Sequence, residues 1–226
     1  MCGRYSNVPN KQQIAEQMPS LEIPEVPSYS YNIAPTHSAM VVTNQAPGKL
    51  QCLEWGLVPH WSADGKNTGK LINARAEGIE EKPSFRQSIQ TRRCVVPADS
   101  FYEWKLLPGK RKAPYRILRP KGQLLFMAGI WDEWEGDGKT KRTFSIITTA
   151  PNAEMSTLHD RMPVLLLHQA DRDRWLSNLP LPEVLALLRP APDHSLQLYR
   201  VSEKLNKPGY DAADLHQEVA EDLTLF

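Results

Sequence analysis

The chain has 226 residues, 41% hydrophobic and 23% charged, with a formal net charge of +1. That make-up excludes a disordered or membrane-spanning protein and any nucleic-acid binder that relies on a global basic field. The three cysteines, Cys2, Cys52 and Cys94, are odd in number and lack CxxC spacing, which argues against a disulfide scaffold and a structural zinc site. No charged-then-apolar leader opens the chain, so a reducing cytosol is the expected compartment. The 19 prolines exceed the usual share of about 5% and point to short elements joined by rigid turns.

Residues 10–18 predict a short helix with Asn10 as N-cap and Ile14 and Met18 on one face. Residues 19–31, rich in proline and serine, predict a loop. In Tyr31-Asn32-Ile33-Ala34-Pro35-Thr36 the proline forces Ala34 to be extended. Strands are expected at 39–42 and 50–55, the second running into Gly56-Leu57-Val58-Pro59-His60-Trp61. A polar loop over 63–70 then delivers Leu71-Ile72-Asn73-Ala74-Arg75-Ala76-Glu77. Its apolar start and polar cluster suit a strand that ends at a site.

Residues 84–89 predict a compact helix capped by Ser84. The runs 94–97 and 101–104 read as strands around a turn at Ala98-Asp99-Ser100, and 105–112 as a basic turn around Pro108-Gly109. Further strand patterns fall at 115–118, 124–128, 130–131 and 143–149. Asn152 caps a helix to about 158, which ends at His159-Asp160-Arg161-Met162-Pro163. The run 164–167 is apolar and β-prone, helices follow over about 168–176 and 181–188, and 195–201 is a last strand. The acidic stretch 211–222 is expected as a peripheral helix or a partly disordered tail.

Many short strands with helices between them, and no regular βαβ rhythm, indicate an α+β fold. Its core is expected to be a curved, barrel-like, mainly antiparallel sheet flanked by short helices. Without an internal repeat or low-complexity linker, residues 1–226 read as one domain.

The chemistry begins at Cys2. If Met1 is removed, this residue carries an α-amine and a thiol together. An α-amine titrates near 7.7–8.0, so roughly a tenth to a fifth is neutral at pH 7, against about four lysine amines in ten thousand. An amine adds to an aldehyde to give a Schiff base, and a thiol two carbons away closes a five-membered thiazolidine. Asn73, Glu103 and His159 are the other polar side chains that turns or strand ends would present. Each alone also suits a structural role: satisfying backbone groups, lying on an edge strand, or complementing a helix dipole.

Seven motifs raise the specificity. They are Met-Cys-Gly-Arg-Tyr at 1–5, Tyr-Asn-Ile-Ala-Pro-Thr at 31–36, Trp-Gly-Leu-Val-Pro-His-Trp at 55–61 and Asn-Ala-Arg-Ala-Glu at 73–77, followed by Arg-Arg-Cys-Val-Val-Pro-Ala at 92–98, Phe-Tyr-Glu-Trp at 101–104 and His-Asp-Arg-Met-Pro at 159–163. In these motifs and their order the chain resembles the SOS response-associated peptidase (SRAP) family over about residues 1–205, which includes abasic-site shielding proteins. The acidic tail from about 206 to 226 lies outside the motifs.

The resemblance implies a cysteine at the mature N-terminus that crosslinks to an abasic site in single-stranded DNA. It makes Cys2 the nucleophile, Asn73 the residue holding its amine and thiol, and Glu103 the general acid/base. His159 would protonate the sugar oxygen, and Arg75 and Arg161 would clamp flanking phosphates with help from Arg4. These roles suit the residue types. Cationic neighbours are expected to lower the Cys2 thiol pKa. Trp61, Trp104 and Pro35 are candidates to stack on or wedge between bases, with core packing the alternative for the tryptophans. The turn carrying Lys105, Lys110, Arg111 and Lys112 reads as a solvated hairpin tip, and Cys52 and Cys94 as buried and inert. No metal, cofactor or membrane is implied. A monomer in the cytoplasm, associating with the nucleoid during DNA damage, is expected. Two rival readings are a cysteine peptidase using Cys2, His159 and Asn73, and a non-covalent single-strand binder using arginines and aromatics.

Overall fold

The computed structural model describes residues 2–8, 11–19, 21–23, 29–207 and 209–220. Strands run over Arg4–Asn7 (β1), Ser30–Ile33 (β2), Ser38–Thr43 (β3), Leu50–Trp55 (β4), Asn73–Arg75 (β5), Arg93–Ala98 (β6), Ser100–Leu106 (β7), Lys112–Leu118 (β8), Leu125–Gly136 (β9), Lys139–Thr149 (β10), Met162–Pro163 (β11) and Gln197–Arg200 (β12). Helices span Lys11–Gln17 (α1), Arg86–Thr91 (α2), Ala153–Ser156 (α3), Gln169–Leu176 (α4) and Leu181–Leu185 (α5).

The α+β expectation holds, with two sheets in place of one. Strands β10, β4, β3, β6 and β9 pair in that order, and β9 pairs back to β10 to close a ring. Closure removes the exposed edges of an open sheet. The β10–β4 pairing is parallel, and β5 continues that parallel edge further along β10 through Ile146↔Asn73 and Thr148↔Arg75. The second sheet has the order β12-β8-β7-β1-β2 and is antiparallel throughout.

The sequence explains the layering. Along β6, Cys94 and Val96 face one hydrophobic cluster and Val95 the other; along β9, Leu125 and Met127 face the first, and Phe126, Ala128 and Ile130 the second. A period of two across strands covered on both faces reads as a continuous apolar run. The first cluster joins the ring to Tyr5, Phe101 and Ile117 of the second sheet. In the other cluster, Ile14, Ile89, Trp175 and Val184 of the helices pack on the ring's outer face. Gly129 lets β9 run through as one strand where the sequence suggests two: a Cβ there would stand 2.9 Å from Cys94 Sγ and 3.0 Å from Ser145 O.

Several elements match their signals. Ile14 and Met18 are buried together, and Asn152 Oδ1 accepts from Met155 N at 3.1 Å to cap α3. The basic turn is the β7–β8 hairpin tip, where Gly109 takes φ +74°. The Asn10 cap lies outside the described residues.

Other expectations are corrected. Ser84 does not cap α2; Phe85 holds the cap position with no side-chain bond, because a preceding turn already bonds Phe85 N and Arg86 N to Lys82 O. The expected turn at 98–100 is present, and it is the crossing from ring to second sheet, fixed by Asp99 N donating to Ser6 O at 3.1 Å. Strand β2 begins inside the expected loop, and 164–167 makes only a bridge from Leu165 to Met127. Cys52 is exposed, since it lies on the outward face of β4 while Leu53 and Trp55 turn into the core.

The acidic stretch is not peripheral through residue 220. A 3-10 turn at Ala213–His216 buries Leu215 against Tyr102, Val201 and Leu205. Tyr31 N donates to the Asp211 carboxylate at 2.6 Å, and His216 Nε2 lies 2.9 Å from Ser6 Oγ. Residues 221–226 lie outside the described residues. Among the described residues no helix is long and apolar enough to cross a membrane.

Burial depresses the pKa of His216 to about 4, against about 6.5 for an unfolded histidine. The folded state therefore refuses a proton that the unfolded chain accepts. Stability from this group is intact above about pH 6.5 and falls as pH drops toward 4, by on the order of 2 kcal/mol at pH 4.5. Thermal unfolding across this window should lose less stability in His216→Gln than in wild type; equal pH slopes would contradict the burial argument.

Candidate active site

Cys2 immediately precedes β1 and is fully buried. Asn73 opens β5, and its Nδ2 donates to the Cys2 carbonyl oxygen at 2.9 Å. Asn73 thus grips the Cys2 backbone. Its own Oδ1 is buried without a hydrogen-bond partner among the described residues.

Glu103 arrives from the other side. Strand β7 pairs with β1 through Arg4↔Tyr102, and that register carried one residue back sets Gly3 opposite Glu103. Glu103 is 3% exposed. Burial pushes the Cys2 thiol pKa far above its usual value, and the negative charge of Glu103 adds to the rise. This corrects the expected lowering: water is excluded, and the charge that acts most strongly on the thiol is an anion.

His159 follows α3. Its Nδ1 accepts from Arg161 N at 3.0 Å and also lies 2.9 Å from Asp160 Oδ1. The backbone donor is fixed by the turn, whereas the Asp160 side chain is 87% exposed. The neutral ring therefore carries its proton on Nε2, and Asp160 is placed to partner Nδ1 when the ring is cationic.

Two cavities flank Cys2. One, of about 360 Å³, is lined by Glu103, Trp104, Lys112, His159 and Asn206. The other, of about 530 Å³, is lined by Asn73, Arg75, Glu77, Lys82, Phe85 and Arg161 among others. Asn73 ties Cys2 to the second, and Glu103 ties it to the first.

The remaining expected residues divide. Arg75 is exposed in its cavity. Arg161 makes a two-pronged ion pair, Nη1 to Glu77 Oε1 and Nη2 to Glu77 Oε2, each 2.8 Å, and Nη2 also donates to Thr148 O at 2.6 Å. The Arg161 hydrogen bonds hold the Glu77 carboxyl below the usual carboxylate range. Arg4 turns to the second sheet, where Nη1 donates to Asn32 Oδ1 at 2.7 Å and Leu205 O at 3.2 Å. It braces the strand behind Cys2. Trp104 is half-buried, its Nε1 donating to Asn206 Oδ1 at 2.8 Å. Trp61 is 57% exposed, so core packing is excluded for it. Trp61 and half-buried Pro35 line neither of the two cavities.

Sequence reasoning missed Glu77, Lys112 and Asn206. Glu77 stood inside a quoted motif without a role, Lys112 was read as part of a hairpin tip, and Asn206 lies beyond the motifs, with no local signal.

A family model described as SOS response associated peptidase (SRAP) matches residues 1–208. The chain belongs to the SRAP family. It is 39% identical over 221 residues to the abasic site processing protein YoqW of Bacillus subtilis, covering 95% of this chain and 98% of that one. It is 30% identical over 220 residues to the abasic site processing protein HMCES of Gallus gallus, covering 82% and 65%. An X-ray structure of a protein from Bacteroides thetaiotaomicron superposes with TM-score 0.81 at 28% identity, covering 95% of this chain and 99% of that one.

In this SRAP chain Glu103→Gln removes the anion beside Cys2 and should bring the thiol pKa down toward its usual value. Alkylation by iodoacetamide at alkaline pH, mapped to each cysteine by peptide mass, should be faster at Cys2 in the variant. Equal Cys2 rates in the two proteins would show that the carboxylate does not act on the thiol.

Proposed function

We propose that this protein senses and shields abasic sites in single-stranded DNA by forming a covalent thiazolidine through Cys2 after Met1 is removed. The observation that carries the reading is the grip of Asn73 on Cys2 beside buried Glu103. The names of the relatives support the substrate class.

With Met1 gone, the Cys2 nitrogen is a primary amine, and Asn73 Oδ1 is the acceptor placed to orient it. His159 Nε2–H donates to the sugar ring oxygen and favours the open aldehyde. The amine attacks the aldehyde carbon, Glu103 passes one amine proton to the carbonyl oxygen to give the carbinolamine and then relays the second to the resulting hydroxyl, and water leaves to give the Schiff base. The Cys2 sulfur then adds to the imine carbon, and the thiol proton passes to the nitrogen. A thiol kept protonated by burial brings that proton with it. Reversal runs the same steps backwards through Glu103. Arg75 and Arg161 hold flanking phosphates, Trp104 and Trp61 stack on bases and Pro35 wedges between them, while Arg4 braces β1. The protein acts as a monomer in the cytoplasm and joins the nucleoid on DNA damage.

The peptidase reading draws less support. Asn73 bonds Cys2 and not His159, and the thiol is pushed away from the thiolate that a peptidase needs. A limited cleavage that frees the Cys2 amine fits either reading.

The test uses single-stranded oligonucleotide treated with uracil-DNA glycosylase. Wild type should form an adduct stable to heat and denaturant, and Cys2→Ala should form none. Glu103→Gln should slow both formation and reversal by about a hundredfold or more, the usual worth of a general acid/base. Cleavage of a peptide panel without any adduct would favour the peptidase. Salt-sensitive binding indifferent to the lesion would favour the non-covalent binder.

A further inference from the structure

We propose that Glu77 is an internal stand-in for a DNA phosphate. It occupies the Arg161 fork in the free protein and gives it up to a backbone phosphate when a strand binds, which sets how weakly undamaged DNA is held. The proposal rests on the single-strand reading above.

Three observations point to exchange and away from a permanent brace. The first is shape. The Glu77 carboxylate meets the guanidinium through two parallel bonds of 2.8 Å, the pattern by which arginine also takes two oxygens of a phosphate.

The second is asymmetry. The Arg161 side chain is 14% exposed and is anchored independently to Thr148 O at 2.6 Å, whereas Glu77 is 58% exposed. The carboxylate can swing into water while the fork stays in place. Ion pairs with one partner this exposed are weak, so a phosphate can displace it.

The third is surplus charge. Arg75, Lys82 and Arg161 face the same cavity of about 530 Å³, and among the described residues Glu77 is its one acidic lining residue. An anion belongs there, and Glu77 supplies one until a strand arrives. Arg161 N also donates to His159 Nδ1, so a fork kept in position holds the turn that orients the histidine.

The exchange has a salt signature. A phosphate neutralised by a protein cation releases counterions, with a slope of about 0.7 per contact on single strands. In wild type, Arg161 swaps one anion for another, and the freed carboxylate collects a cation, so this contact adds little to the slope. In Glu77→Gln the contact counts fully.

Binding of an undamaged single-stranded oligonucleotide, followed by fluorescence anisotropy across a salt series, reads this directly. Glu77→Gln should bind about fivefold tighter at low salt, the worth of an exposed ion pair, with a slope steeper by about 0.7. Glu77→Asp, too short to span both prongs, should shift the same way. In an Arg161→Lys background the gain from Glu77→Gln should vanish. Unchanged slope and affinity, weaker binding, or an undiminished gain in the Arg161→Lys background would each overturn the exchange.

Inorganic phosphate titrated by calorimetry judges the exchange without DNA: it should bind Glu77→Gln more tightly than wild type, and equal affinity would overturn it. If wild type binds no strand at all, the single-strand reading falls while the phosphate titration still decides the role of Glu77.

Discussion

One hydrogen bond organises the site: Asn73 Nδ2 to the carbonyl of Cys2. Chain ends ordinarily fray because nothing pays back the entropy of ordering them. Here the residue two places into the chain is fully buried, and the strand after it is held between β2 and β7. The bond ties β5, which hangs on β10 of the ring, to the residues that lead into β1 of the second sheet, and adds to the β6–β7 crossing that already links the two sheets. The reactive residue is therefore fixed by the barrel edge as well as by its own strand, in keeping with functional groups supported by rigid elements.

Around that point the charges are sorted by burial. Burial of the thiol is the main cause that keeps the sulfur protonated, and the field of Glu103, itself enclosed and little screened, adds to it. Two arginines line the cavity that Asn73 borders, where Arg75 is exposed and Arg161 is neutralised by Glu77. A site that must meet a polyanion while keeping its sulfur protonated benefits from that separation. Arg4, adjacent in sequence to the reactive end, is spent on Asn32 and Leu205. It braces the strand from behind.

Much of this was legible from local pattern. Strand β4 and the Asn152 cap follow from alternation and side-chain chemistry within a few residues. The cluster at 71–77 announced the short strand β5 at Asn73–Arg75. What escaped depends on partners distant in sequence. A barrel-like core was expected, but which strands close it is decided by β9 meeting β10 and β6 together. The acidic stretch looks like a tail, yet Leu215 finds a pocket between Tyr102 and Val201. Cys52 looked buried because it lies within a strand carrying Leu50, Leu53 and Trp55, and the strand's period of two turned it outward. Ser84 has capping chemistry, but an earlier turn had already satisfied the backbone donors it would serve. The direction of the Cys2 pKa shift is set first by burial and then by Glu103, more than ninety residues away, and neither could be read from its neighbours.

The account stands on one chain end that offers nitrogen and sulfur to the same carbon. The most direct measurement compares protein bearing a free Cys2 amine with protein whose Cys2 amine is acetylated and whose thiol is intact, each incubated with an abasic single strand and examined by intact mass. The account predicts a thiazolidine-mass adduct with the free amine and no heat-stable product with the acetylated one. Equal coupling by the acetylated protein would contradict it.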